Sequence, residues 1–187
     1  MLFRSVGSKA NAALVVSAPT FVNADLSGQP LPPPRVFEPS RLLPADISDA
    51  EAVRLFLAEF GILPSQTLLY KDASGSLLTI GSGFFIQDST GASKLNSERR
   101  PYMLMYADTI KNPDEIIEAW ETFRDSDGRY ILKRRYLAVW QVLGQDKATV
   151  ASFTLTSDTW EAATALAVRK SQIITTRNGQ LIYRRKP

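Results

Sequence analysis

The stretch from Arg129 to Val142, Arg-Tyr-Ile-Leu-Lys-Arg-Arg-Tyr-Leu-Ala-Val-Trp-Gln-Val, decides the fold because it predicts one long strand with a charged centre. Successive side chains of a strand point to opposite faces of its sheet. One face therefore carries Tyr130, Leu132, Arg134, Tyr136 and Trp140, and the other carries Ile131, Lys133, Arg135, Leu137 and Val139. A strand that serves only the core would not place three cations at its middle. The pattern favours phosphate binding, and the alternative is an edge strand that charge protects against aggregation.

Three further elements are predicted on the C-terminal side of this strand. A second strand covers about residues 148–155, and a helix lies around residues 158–167. A final hairpin has strands at residues 173–176 and 180–185. Its turn is Asn178-Gly179, a dipeptide that is typical of tight hairpins.

On the N-terminal side, Ser48 and Glu51 have the spacing of a capping box, and Gly61 is placed to end the helix that they begin. A hairpin follows, with strands at residues 67–70 and 77–80. A short helix then runs from Tyr102 to Ile110.

A further helix is predicted after Asn112, which is a good capping residue. Pro113 fits the first turn of that helix, and the acidic residues 114 and 115 suit its positive end. The apolar face of this helix would consist of Ile116, Ile117, Trp120 and Phe123.

Together these elements predict an α+β fold, with helices packed on a roughly four-stranded antiparallel meander. We expect one domain over residues 47–187. The preceding residues 1–46 have the composition of an extended arm or linker, because six prolines lie between Pro30 and Pro44.

Composition excludes several kinds of site. The chain has no cysteine and no histidine, so thiol nucleophiles, imidazole acid–base groups and the commonest metal ligands are all missing. We therefore expect no metal and no cofactor. No apolar run approaches the roughly 20 residues that span a bilayer, so no membrane partner is expected. Residues 12–24 weakly resemble a signal peptide, but we expect a loose arm here more than a secretion signal.

Charge is distributed unevenly along the chain. Residues 129–187 contain 11 basic and 3 acidic side chains, whereas residues 47–128 contain 7 and 13. A basic final third joined to an acidic middle predicts a surface that binds polyanions.

Five short blocks of the sequence resemble the phage-associated branch of the barnase–EndoU–colicin–RelE nuclease superfamily, over about residues 65–185. The blocks are Arg99 to Tyr102, Ala107 to Ile116, Lys133 to Leu137, Thr159 to Ala165, and Arg177 to Tyr183. Domains of this kind often lie at the C-terminus of phage head-morphogenesis proteins related to the Mu minor head protein.

The resemblance implies a metal-independent ribonuclease-like or toxin-like domain in which a ribose 2′-hydroxyl attacks the adjacent phosphate. The implied partner is RNA, and the implied setting is the cytoplasm of a bacterial host or a phage virion. It implies these site residues: Arg134, Arg135 and Arg177 at the phosphate, Tyr183 or Thr164 in proton transfer or orientation, Trp160 in base stacking, Lys133 and Arg99 in nucleic-acid contact, and Asp108 as a candidate base.

Two other functions fit the same sequence. One is a non-catalytic phage structural protein whose basic sheet holds nucleic acid or a neighbouring capsid or head protein. The other is an inhibitor that binds a host protein, which an exposed apolar patch near Phe84, Phe85 and Ile86 would support. The ribonuclease hypothesis requires Arg134, Arg177 and Tyr183 to meet at one hollow, and pairing of the arginines with carboxylates of the acidic middle would remove its support. Under this hypothesis, we expect the replacement of Arg134 and Arg135 by alanine to leave thermal stability nearly unchanged.

Overall fold

The computed structural model describes residues 13–86, 90–124, 128–157 and 159–186, together with the backbone of residues 3–5. Its helices are α1 (Asp49–Ala58), α2 (Met103–Lys111) and α3 (Lys170–Ile173), and short 3₁₀ turns lie at Pro39–Arg41, Ser82–Phe85, Arg100–Tyr102 and Ile174–Thr176. Its strands are β1 (Phe3–Ser5), β2 (Val15–Val16), β3 (Ala24–Asp25), β4 (Arg35–Val36), β5 (Gln66–Lys71), β6 (Leu77–Ile80), β7 (Glu115–Thr122), β8 (Tyr130–Val142), β9 (Gln145–Leu155), β10 (Trp160–Arg169) and β11 (Asn178–Arg184). In the part of the chain described, no helix is both long enough and apolar enough to cross a membrane.

The fold is α+β, as predicted, but the sheet is larger than the four-stranded meander and is not purely antiparallel. Within the described residues, eleven strands form one sheet in the order β1-β5-β6-β10-β9-β8-β7-β11-β3, while β2 and β4 pair with the ends of β8. Two of the pairings are parallel, β6 with β10 and β4 with β8. In the β6–β10 pair, Thr79 lies opposite Glu161, a long-range contact that no local sequence pattern predicts.

Several predicted elements are confirmed. Helix α1 begins after Ser48, whose side chain accepts a hydrogen bond from the Glu51 amide, and the chain turns at Gly61 with φ of 70°. The β5–β6 hairpin, α2, β8 and β9 also form where expected. The β8–β9 connection is the two-residue turn Leu143-Gly144, with φ of 49° and 73°, the left-handed pair that tight hairpins favour.

The predicted helix after Asn112 is wrong, because this segment is strand β7. Asn112 ends α2 instead of starting a helix. The Asp114 carboxylate accepts a hydrogen bond from the Val139 amide at 2.8 Å, and Ile116 and Ile117 face opposite sides of the sheet. Pairing with β8 on one side and β11 on the other outweighs the weak local preference for helix.

The predicted C-terminal elements also differ. The expected helix at 158–167 is strand β10, which pairs with β9 along its length; Asp158 lies outside the described residues. Residues 173–176 are helical instead of extended. Asn178-Gly179 does not form a hairpin turn but begins β11, because Gly179 lies so close to β7 that a Cβ atom there would be 2.1 Å from the Glu118 carbonyl oxygen.

The two faces of the sheet have different coverings. Helices α1 and α2 and the buried Phe84 and Phe85 cover one face, here called the helix-covered face. On the opposite face, a smaller cluster around Leu137 and Val139 is covered by Leu26 and Ile173. Phe84 and Phe85 are buried and Ile86 is exposed, so two of the three residues of the apolar patch that would support the host-inhibitor alternative are not on the surface.

The segment before α1 packs on the sheet where it is described. Leu26 and Phe37 are buried, and β2 and β4 pair with β8. The Asn23 amide group both donates to the Trp120 carbonyl, at 2.8 Å, and accepts from the Trp120 amide, at 3.0 Å, so it occupies the edge of β7 as a strand residue would. The prolines at positions 30 and 32–34 lie outside regular secondary structure, whereas Pro39 begins a 3₁₀ turn. The domain boundary near residue 46 stays a prediction.

Candidate active site

Arg134 lies on the helix-covered face and is only 5% exposed. Its guanidinium group donates to Asp72 at 3.1 Å and to Glu118, and its plane lies 4.4 Å from the centroid of the Trp160 ring. Tyr136 donates its hydroxyl to the same Asp72 carboxylate. Burial, and then this hydrogen bond, raise the pKa of Tyr136, so the hydroxyl stays protonated. This arginine therefore belongs to a buried polar network.

Arg177 is 1% exposed and is bound in a similar way. It forms two hydrogen bonds of 2.8 Å to the two Glu115 oxygens, and a third of 2.6 Å to the Gln29 carbonyl oxygen. Glu115 also accepts hydrogen bonds from Arg184. The Arg177 guanidinium group is therefore occupied by a bidentate ion pair with a carboxylate of the acidic segment, residues 47–128.

Other predicted site residues also lie away from solvent or from each other. Trp160 is buried under Arg134, and Tyr183 is half-buried against the helix-covered core. Asp108, on α2, pairs with Arg41 and Lys111. Arg99 donates to the Lys94 carbonyl oxygen at 3.0 Å. The structure thus does not bring Arg134, Arg177 and Tyr183 together at one hollow.

The opposite face does collect predicted site residues. In the register of the central strands, Lys133 is opposite Thr154, and Thr154 is opposite Glu161. Two residues further along β8, Arg135 is opposite Ser152, and Ser152 is opposite Thr164. Neighbouring strands lie about 4.8 Å apart. These six partly exposed residues, Lys133, Arg135, Ser152, Thr154, Glu161 and Thr164, form two adjacent rows that we call the open patch.

The turn before β11 borders the open patch at Arg135. The Arg135 guanidinium group donates to the carbonyl oxygens of Thr176 and Asn178, at 3.1 and 3.2 Å, and forms an ion pair with Glu121. Its side chain remains 17% exposed. The group is therefore held in place while keeping contact with solvent.

Lys133 is the second cation of the open patch, and its ammonium group forms no hydrogen bond or ion pair with any residue that the structure describes. Burial is the main cause that lowers the pKa of its ammonium group, and nearby Arg135 and Lys94 lower it further, while Glu121 acts in the opposite sense. At the border of the patch, Lys94 donates to the Ala163 carbonyl oxygen at 3.0 Å. An anion bound at the patch would reduce the repulsion among Lys133, Arg135 and Lys94.

Sequence reasoning missed Ser152, Thr154 and Glu161. The first two could have been found, because residues 151–155 alternate between apolar and hydroxyl side chains, as a half-exposed strand does. Glu161 could not, because the alanine-rich segment around it predicts a helix. Glu161 accepts a hydrogen bond from Thr79 at 3.1 Å across the parallel β6–β10 pair.

The open patch has groups for two chemical tasks. Lys133 and Arg135 can bind the oxygens of a phosphate, and the hydroxyls opposite them can donate further hydrogen bonds. The carboxylates Glu121 and Glu161 can accept a proton. Within the described ranges, no group of three or more acidic side chains is arranged to hold a metal ion.

Comparison with known proteins supports a nuclease-like domain. A model of the family described as phage-Barnase-EndoU-ColicinE5/D-RelE like nuclease2 matches residues 55–184, from within α1 to the end of β11, and this range contains the whole open patch. Comparisons with curated proteins and with solved structures gave no match. The match covers well over half of the chain, and the chain therefore belongs to this phage nuclease-like family.

Proposed function

We propose that this domain cleaves RNA by attack of a ribose 2′-hydroxyl on the adjacent phosphodiester, without a metal ion, and that the open patch holds the reacting phosphate. One observation carries the proposal: Lys133 and Arg135 lie side by side on an accessible sheet face, opposite the hydroxyls of Thr154 and Ser152, within the family match. Two positions apart on one strand, their Cα atoms are separated by about 6.6 Å. Their side chains can therefore reach the same phosphate.

In the proposed reaction, the 2′-oxygen forms a bond to phosphorus while the bond from phosphorus to the 5′-oxygen breaks. The products are a 2′,3′-cyclic phosphate end and a 5′-hydroxyl end. The proton of the 2′-hydroxyl passes to a carboxylate that acts as the base, Glu161 or Glu121, and the carboxylic acid formed in this way gives the proton to the departing 5′-oxygen. Lys133 and Arg135 stabilise the negative charge that develops on the phosphate oxygens, and Thr164 orients the phosphate.

The site that the sequence analysis required, with Arg134, Arg177 and Tyr183 at one hollow, does not form, because both arginines pair with carboxylates of the acidic middle. The proposal therefore rests on the open patch instead and gives Arg134 and Arg177 supporting roles. Each is paired with buried carboxylates, and a phosphate would have to displace those carboxylates to bind. We infer that Arg134 holds β8 in place beneath the patch. Arg177 fixes the turn whose carbonyl groups orient Arg135.

The test uses the full chain and a labelled single-stranded RNA in the presence of a chelator. We expect fragments with cyclic-phosphate ends, and no cleavage where a single 2′-deoxy nucleotide replaces the attacking ribose. Arg135→Ala and Lys133→Met should each lower the rate about a hundredfold, as the loss of one charge-stabilising donor typically does. Lys71→Met, at an exposed position on β5, is the matched control and should leave the rate unchanged.

Intact RNA under all conditions would contradict the proposal. The buried pairing of Arg134 and Arg177 favours a second candidate, a non-catalytic phage head protein that uses the same patch to bind nucleic acid. That candidate is supported if the full chain binds RNA in an Arg135-dependent way without cleaving it.

A further inference from the structure

A cavity of about 270 Å³ lies between the proline-rich segment and the helical turns that follow β10. Lys170 and Arg177 form its basic wall, and Gln29 and Ser27 add polar groups. Leu31, Ile174 and three consecutive prolines, residues 32–34, supply apolar surface. A basic wall facing an apolar one suits a ligand with an anionic part and a flat apolar part.

The surroundings of this cavity hold more positive than negative charge. Among the described residues, Arg35, Arg177, Arg184 and Arg185 form ion pairs with two carboxylates, those of Asp114 and Glu115, and both are completely buried. The Asp25 carboxylate also lies near enough to attract Arg177. Lys170, at the cavity wall, pairs with Asp146 on the surface. Such an excess of cations is costly to hold together without an anion.

The cavity is adjacent to the open patch. Arg135 of the patch donates to the carbonyl oxygens of Thr176 and Asn178, and Arg177, between these two residues, lines the cavity. Ile174 at the start of the same turn also lines it. One turn therefore separates the proposed reacting phosphate from this second basic hollow.

We propose that the cavity binds one nucleotide of the RNA strand beside the reacting phosphate, with its phosphate near Lys170 and its base on Leu31 and the prolines. This inference rests on the proposed function. The wall formed by residues 27–34 lies outside the family match at 55–184, so this nucleotide subsite is an addition made by the N-terminal segment of this chain.

The test measures binding of non-cleavable 2′-O-methyl RNA oligomers of two to six nucleotides by fluorescence anisotropy, at fixed salt. We expect affinity to rise about tenfold or more when the oligomer becomes long enough to fill the cavity, because stacking and one further phosphate contact each add to binding. Lys170→Ala and Ile174→Asp, at partly exposed positions, should abolish this rise and leave dinucleotide binding unchanged. Lys71→Ala should leave both unchanged.

A second readout locates the nucleotide directly. An oligomer with a photoreactive 4-thiouridine at the flanking position should crosslink to the peptide that contains residues 27–34. A length-dependent rise that survives in both cavity variants, or a crosslink elsewhere, overturns the inference. Failure of the proposed function gives a different result: Arg135→Ala would then leave dinucleotide binding intact.

Discussion

The guanidinium group of Arg134 faces the helices. That of the next residue, Arg135, lies on the opposite face of the sheet and reaches solvent. Strand alternation predicted that the two side chains point apart. It could not predict that Asp72, 62 residues away in sequence, would reach Arg134. The buried side chain thus stabilises the fold, and the accessible one is available to a ligand.

Arg134→Ala should be strongly destabilising, in contrast with the sequence-based expectation of nearly unchanged stability. Removal of the guanidinium group leaves Asp72 and Glu118 without their buried partner, which typically costs about 3–5 kcal/mol in the free energy of unfolding. Urea denaturation measures this cost. Arg54→Ala, which breaks only an exposed pair with Glu51, is the control and should leave the free energy of unfolding nearly unchanged. Equal costs for the two variants would contradict the network.

Lys133→Met should raise stability at neutral pH. Because the pKa of Lys133 in the folded protein lies below its usual value of 10.5, the unfolded chain binds more protons between the two values. The wild-type protein therefore gains stability as the pH rises through that interval, and the methionine variant does not. The advantage of the variant should be largest near neutral pH and small by about pH 10.5. Unfolding curves at several pH values test this, and an advantage that grows with pH would refute it.

Among the elements, those with strong local signals were predicted and those that depend on distant pairing were not. Capping at Ser48 and the alternation along β8 are local, so α1 and the central strand were found. Asp114 and Glu115 imitate a helix start, but in the fold their carboxylates bind Arg185 and Arg177. The same limit applies to the site: Lys133 and Arg135 follow from β8 alone, whereas Glu161 joins them only through the register of β9 and β10.

Gly179→Ala should disrupt the pairing of β11 with β7. The glycine has φ of 147°, which L-residues with a Cβ avoid, and an added Cβ atom would overlap the Glu118 backbone. We expect a loss of about 3 kcal/mol or more in the free energy of unfolding, from backbone strain and displaced backbone together. Gly83→Ala, where a Cβ atom meets nothing within 4 Å, is the matched control. A similar melting temperature for both variants would contradict the close approach of the strands.

For the whole molecule, removal of residues 1–44 should now be costly, although the sequence analysis treated this segment as an arm. The deletion uncovers the surfaces that Leu26 and Phe37 bury, each worth about 1.5–3 kcal/mol. It also removes Asn23 from the edge of β7. We expect a lower midpoint in urea and faster hydrogen exchange at the Trp120 amide. The double variant Val22→Ser, Val36→Ser, at positions 92% and 68% exposed, should leave both unchanged.

The place of β11 within the sheet has a consequence for the order of folding. This strand pairs with β7 on one side and with β3 on the other, and both partners lie far from it along the chain. The turn that orients Arg135 comes just before it. Non-local pairing of this kind delays completion of a fold. Any state of the chain in which β11 has not yet paired would therefore leave Arg135 without the two carbonyl groups that hold its side chain in place.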